Sequence, residues 1–211
     1  SQESSDWWIL FEQGFLDRIL FRQCNTPNWR QLFQDIEEKI LTRTKPMISI
    51  LLHDGSSDSL NESQQDQPFN RPFCIGKYPV TQALWKHVMN ERPGAFYGVS
   101  RPIESISWND CISFCNKLSQ LEDLKPAYHY LNTGEVKCDF TANGYRLPTE
   151  VEWEYCARAG QEYQYSGGNS PHDCVWMRQN SRNESQPVGQ KKPNIWGIHD
   201  MNGNVWEWCW D

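Results

Sequence analysis

The stretch Gly144-Tyr145-Arg146-Leu147-Pro148-Thr149-Glu150-Val151-Glu152-Trp153-Glu154-Tyr155-Cys156-Ala157-Arg158 decides the fold. Thr149 follows Pro148 and has Glu152 three residues on, the spacing of a capping box. In such a box the hydroxyl takes an orphan backbone donor and the carboxylate reaches back to the cap. The spacing predicts a helix from Thr149 to Ala159. Arg146 stands just before it, and Glu150 and Glu152 fill its first turn. An arginine fork against a carboxylate would pin the preceding extended segment to the helix. Trp153 and Tyr155 fall on different faces, so at least one is expected to plug a core gap. Arg146, Thr149, Glu152 and Trp153 are therefore read as structural.

Outward from this run, the chain alternates aromatics with turn residues. Phe73 to Thr81 reads as a strand, and Thr81 caps a helix through Leu84, Trp85, Val88 and Met89. Pro102 to Ser107 reads as extended, and Asp110 to Leu121 as helical, with Ile112, Phe114, Cys115 and Leu118 apolar. Residues 160–203 are mostly loop, rich in Gly, Asn, Ser and Pro. In Asn202-Gly203-Asn204 the glycine permits a positive φ and the amides tolerate a tight turn. Asn204 to Trp210 is expected to be a strand, with Trp206 and Trp208 to one side as structural rings and Glu207 to the other.

The N-terminal part differs. Residues 7–44 read as helical, with Asn28 as a cap and Trp8 to Phe21 apolar on nearly all sides. Met47 to Leu52 reads as a short strand. His53 to Gln67 holds polar and turn residues with almost nothing apolar, which marks a linker. The expected division is a helical extension over 1–66, including the strand and linker, and a second unit over 67–211.

Composition narrows the classes. A formal net charge of -7 with no basic run excludes nucleic acid as an expected partner. No apolar stretch reaches membrane-span length. The eight cysteines contain no CxxC pair, which speaks against zinc ribbons and thioredoxin motifs. Unpaired cysteines in a chain of 211 residues suggest a reducing, cytoplasmic setting. Cys111 and Cys115 share a helix face at a spacing open to a metal or to plain burial. Phosphate loops, nucleophile elbows and HExxH are absent from the sequence.

At this point the ordered motifs resemble a family. Phe73-Cys74-Ile75-Gly76-Lys77-Tyr78-Pro79-Val80-Thr81-Gln82 is similar to its opening segment, and Pro102-Ile103-Glu104-Ser105-Ile106-Ser107-Trp108-Asn109-Asp110 to its second. The arginine-led helix and Gly197-Ile198-His199-Asp200-Met201-Asn202-Gly203-Asn204-Val205-Trp206-Glu207-Trp208 complete the series. Together they resemble the formylglycine-generating-enzyme, or sulfatase-modifying-factor, domain. The resemblance implies an α+β, C-type-lectin-like fold: loop-rich, with few regular strands and about three helices, plus the helical extension.

For function, the resemblance implies an oxygen-dependent enzyme that uses copper on two cysteines to turn a substrate cysteine into formylglycine. In the family those cysteines follow the Trp-Glu-Trp segment, and none of the cysteines here matches them. No catalytic residue carries over and copper is not expected. The family's iron-using branch needs a histidine cluster, and His53, His87, His129 and His199 are scattered. The expected function is instead a non-catalytic module that binds a protein or other ligand, as in the retroelement-diversified variable proteins of bacteria and phage. The loops from Tyr163 to Asn180, with Tyr165, Asn169, Trp176 and Asn180, have the composition of an adaptable contact surface; ordinary coil is the alternative. Asn202, Asn204 and Glu207 form, with Asp200, an oxygen-rich cluster. The resemblance implies calcium near this turn, and the alternative is that these residues only build it. A fragment of a formylglycine-generating oxidoreductase and a regulatory subunit docking through its N-terminal helices are the other two readings. The rings of Trp206, Trp208 and Trp210 at the chain's end call for a further segment or a partner chain to cover them.

Overall fold

The structure is a computed structural model that describes residues 73–211 and the backbone of two short N-terminal strands. Those strands are β1 (Asp17–Arg18) and β2 (Met47–Ile50). They are followed by β3 (Phe73–Gly76), β4 (Tyr78–Pro79), α1 (Gln82–Met89) and α2 (Trp108–Leu121). The chain continues through β5 (Tyr128–Tyr130), β6 (Val136–Cys138), α3 (Glu150–Arg158) and the single turn α4 (Pro171–Cys174). Among the described residues the named strands pair two by two: β1 runs parallel to β4, β2 antiparallel to β3, and β5 antiparallel to β6. Helices and short strands joined by long loops make this an α+β, C-type-lectin-like architecture.

Helices α1, α2 and α3 begin where short polar side chains satisfy orphan backbone donors. Thr149 Oγ1 accepts from Glu152 N at 3.2 Å, while Thr149 N donates to Glu152 Oε2 at 2.8 Å. The expected capping box is therefore present. Ser107 and Asp110 form a second one, through Ser107 N to Asp110 Oδ2 at 2.8 Å and Asp110 N to Ser107 Oγ at 3.2 Å. That box starts α2 at Trp108, ahead of the expected Asp110. Thr81 caps α1 as expected, accepting from Leu84 N.

α1 and α2 pack through Trp85 and Phe114, both fully buried and stacked with centroids 4.9 Å apart. Ile112, Cys115, Leu118, Tyr128 and Leu147 complete this core. A second core gathers Phe73, Ile75, Cys156, Ile198 and Met201, with Trp153, Tyr155 and Trp196 packed on it. Both rings of the expected Trp153/Tyr155 pair are thus partly buried.

Arg146 joins the two. Its Nη1 and Nη2 each donate to a different oxygen of Glu152 at 2.7 Å, and Nη1 also reaches Leu147 O at 3.0 Å. The guanidinium lies over the Phe140 ring, 4.8 Å from its centroid. Both ion-pair side chains are shielded, at 11% and 7% exposed.

Two expectations are corrected. Asp17–Arg18, placed in a helical stretch, pairs instead as a strand with Tyr78–Pro79, because tertiary pairing overrides local pattern. The rest of the helical reading over 7–44 lies outside the described residues. The run Asn204 to Trp210 forms no strand, because its backbone groups are used elsewhere. Trp210 N donates to Pro148 O at 2.8 Å, Val205 N to Gly203 O at 2.9 Å, and Cys209 O accepts from Trp108 Nε1 at 2.9 Å. The β5–β6 hairpin and α4 were not expected.

The Arg146–Glu152 pair yields the first prediction. Glu152→Ala leaves a shielded guanidinium without its carboxylate and removes the carboxylate half of the α3 capping box, and should cost about 3–5 kcal/mol. Equilibrium urea unfolding checks it; a loss below about 1 kcal/mol would contradict the pinning role.

Candidate functional site

Two concavities flank the terminal segment. The first, of about 810 Å³, lies between α3 and the loops around Tyr165, Trp176 and Asn202. The second, of about 750 Å³, is walled by Ile75, Val80, Phe96, Ile103 and Leu147. Ser181 and residues 204–207 border both, so this segment is a ridge between two grooves.

The ridge is held from below. Trp153 Nε1 donates to Glu207 Oε2 at 2.9 Å, and Glu150 N to Asp211 Oδ1 at 2.8 Å. Trp210 turns inward, against Tyr128 and Trp108 at 5.2 and 5.3 Å between centroids. Trp208 is half exposed, with its Nε1 donating to Ile106 O at 3.0 Å. Trp206 differs from expectation: its ring is fully exposed on the crest and braces nothing. Its exposure follows from the lack of any strand pairing that would fix an inward face.

Gly203 sets the floor. Its φ is +82°, and a Cβ there would sit 1.9 Å from Trp176 O. Only glycine allows that close approach. The neighbouring Asn204, also left-handed at φ 63°, exchanges two hydrogen bonds with Gln186: Oδ1 accepts from Gln186 N at 2.7 Å, and Nδ2 donates to Gln186 O at 3.0 Å.

The expected contact residues divide. Tyr165 and Trp176 line the first groove. Asn169 and Asn180 do not, since both brace their own loops. Asn169 Oδ1 accepts from Gln164 N at 2.9 Å, and Asn180 bonds Met177 N and Val175 O at 2.7 and 3.0 Å. Tyr163, Glu150 and Glu154 also line the groove and were not singled out. The i, i+4 spacing of Glu150 and Glu154 on a polar helix face was the available signal.

The expected calcium ligands Asn202, Asn204 and Glu207 all border the first groove. Glu207 is engaged by Trp153, and Asn204 would have to release Gln186 N to offer its oxygen to a cation. Asp200, buried behind them, accepts from Gly189 N at 2.7 Å. Among the described residues no group of three or more His, Cys, Asp or Glu side chains is gathered in ligating range.

Residues 33–211 match the sulfatase-modifying factor enzyme 1-like domain. The chain belongs to that family. Chaperone protein LppX of Paenibacillus barcinonensis is 39% identical over 197 residues, 77% of this chain and 70% of that protein. The formylglycine-generating enzyme of Mus musculus is 27% identical over 148 residues, 63% of this chain, which spans only 33% of the enzyme. Among solved structures, Treponema denticola variable protein 1 superposes with a TM-score of 0.67 at 32% identity, over 78% of this chain and 72% of that one.

Within this sulfatase-modifying-factor domain the seven described cysteines are free thiols. Burial pushes Cys111, Cys138 and Cys209 each up to about 12. At Cys209 the carboxylates of Glu207 and Asp211 add to burial. Cys115 is fully buried and is also raised well above its ordinary value, so Cys111 and Cys115 are core thiols on α2. Burial thus favours the protonated thiol at these positions.

Two predictions follow from this geometry. Gly203→Ala should lower Tm by about 10 °C or abolish folding, because backbone rather than a flexible side chain blocks the added carbon. Unchanged melting and near-ultraviolet dichroism would refute it. The thiols predict alkaline instability. Their folded pKa values lie above the unfolded value of about 8.5–9. The stabilisation is therefore complete below pH 9 and is lost as pH rises from there toward 12. A Cys138→Ser, Cys209→Ser variant should show a shallower decline in urea midpoint across that window.

Proposed function

We propose that this chain is a non-catalytic protein-binding module that holds apolar segments of a partner polypeptide, in the manner of a chaperone. The observation that carries the reading is the fully exposed Trp206 on a crest between two grooves, with half-exposed Trp208 beside it. Isolated exposed apolar side chains are ordinary, but an indole standing between two concavities is the anatomy of a binding anchor. Similarity to a protein named as a chaperone, and to a variable protein on the same scaffold, supports the reading.

The chain should suppress aggregation of a chemically unfolded reporter protein when the two are mixed in excess of the reporter. Trp206→Ser should weaken capture of that reporter by about tenfold, with Tm unchanged because the ring supports nothing. If the wild-type chain captures no unfolded polypeptide, the reading is wrong.

The similarity to the mouse formylglycine-generating enzyme supports a second reading, a portion of a copper- and oxygen-dependent oxidoreductase. Copper-dependent conversion of a cysteine peptide by this chain would establish it in place of the first.

A further inference from the structure

We propose that Asn202 is a site of spontaneous deamidation: its side-chain amide is lost in the folded protein, leaving aspartate and isoaspartate in the wall of the first groove. The proposal does not depend on the binding reading above. The sequence holds two Asn-Gly pairs, Asn143-Gly144 and Asn202-Gly203. Glycine favours the reaction because it has no Cβ to hinder attack by its own backbone nitrogen on the preceding side chain. The Gly203 nitrogen loses its proton to base and bonds to the Asn202 side-chain carbonyl carbon. The bond from that carbon to Nδ2 breaks, ammonia leaves, and a succinimide ring remains. Water then opens the ring at one carbonyl or the other, giving aspartate or isoaspartate. The sum is water taken up and ammonia released, with no oxidant or reductant.

Folding separates the two pairs. Gly203 is exposed, and its backbone nitrogen donates no hydrogen bond among the described residues. The Asn202 amide is held there by one long contact, Nδ2 to Ser166 O at 3.4 Å, and its carbonyl oxygen accepts nothing. The side chain can therefore turn onto the Gly203 nitrogen at little cost. Asn143 is held more firmly. Its Oδ1 accepts from Lys125 N at 2.9 Å, a well-formed bond that the same rotation would break. Gly144 is buried, and a Cβ there would sit 2.2 Å from Lys125 O and 2.7 Å from Ser119 Oγ. The next residue is tied to the same hydroxyl, with Tyr145 N donating to Ser119 Oγ at 2.8 Å. Base and water thus reach Gly203 and are kept from Gly144. The product bears on the site, because Asn202 and Gly203 both border the first groove. Either product adds a negative charge to that wall. Isoaspartate also lengthens the main chain by a carbon just before the glycine that packs against Trp176 O.

The test incubates the folded chain at mildly alkaline pH, in parallel with the chain in concentrated urea, and follows both Asn-Gly peptides by mass spectrometry after proteolysis. In the folded chain Asn202 should convert about ten-fold faster than Asn143, which reacts only through local opening. In urea the two rates should come within about three-fold of each other, because unfolding removes both environments. Asn202→Gln has a longer side chain that must close a larger, slower-forming ring. It should suppress conversion at this position while Asn143 keeps its rate, and its melting curve should match the wild type, since only one long hydrogen bond is at stake. Conversion of Asn143 as fast as Asn202 in the folded chain overturns the inference. So does an Asn202 that stays intact in the folded chain, whatever happens in urea. Should the variant fail to fold, the comparison of folded and urea-treated wild-type chain decides by itself.

Discussion

The bidentate bond between Arg146 and Glu152 is the constraint on which the other parts of the molecule depend. Glu152 accepts both guanidinium donors and the Thr149 backbone donor, so one carboxylate fixes a loop, a cap and a helix direction at once. A shielded ion pair is favourable only when its remaining polar atoms are satisfied. Here Leu147 O takes a further guanidinium proton and Phe140 covers the flat face. The gain is directional as much as energetic. With α3 set, Trp153 reaches Glu207, and the N-terminus of α3 receives Asp211. Those two contacts raise the terminal segment into a ridge, and the grooves exist only because the ridge stands there.

A fold with so little strand pairing must satisfy its buried backbone by other means. Side-chain amides do much of this. Gln82, buried at the start of α1, bonds Phe96 O at 2.5 Å and Gly98 N at 3.1 Å. Asn116 pairs with both backbone groups of Tyr128, and Asn194 holds Cys156 O while accepting from Trp196 N and Ile198 N. Each amide mimics one rung of a sheet between segments far apart in sequence. Loops anchored only at such points can vary between their anchors without disturbing the cores.

This explains which parts were legible in the sequence. Caps were legible because they are local: Thr149 and Glu152, or Thr81, complete their bonds within one turn. The first core was legible as apolar spacing on α1 and α2, and the second only through the rings of Trp153 and Tyr155 on α3. The terminal run was misread because alternating rings imitate a strand, while the actual partners of its backbone, Pro148 and Trp108, are more than sixty residues away or reached through a side chain. Of the residues expected at a contact surface, Tyr165 and Trp176 line the first groove. Asn169 and Asn180 were expected there too but are turned inward by their own loops. The groove itself was not legible, since the place of the Trp176 loop depends on the long-range stop of Gly203 against Trp176.

Trp206 then poses an energetic question. An indole in water forgoes about 1.5–3 kcal/mol that burial would supply, and the segment is too well tied at Glu207 and Trp210 for the ring to fold back. The fold therefore holds the ring out rigidly, and a partner that covers it gains most of that burial without first ordering a loop. Preorganisation of this kind lets a small contact bind. Such a ring would add affinity for any apolar segment laid across it.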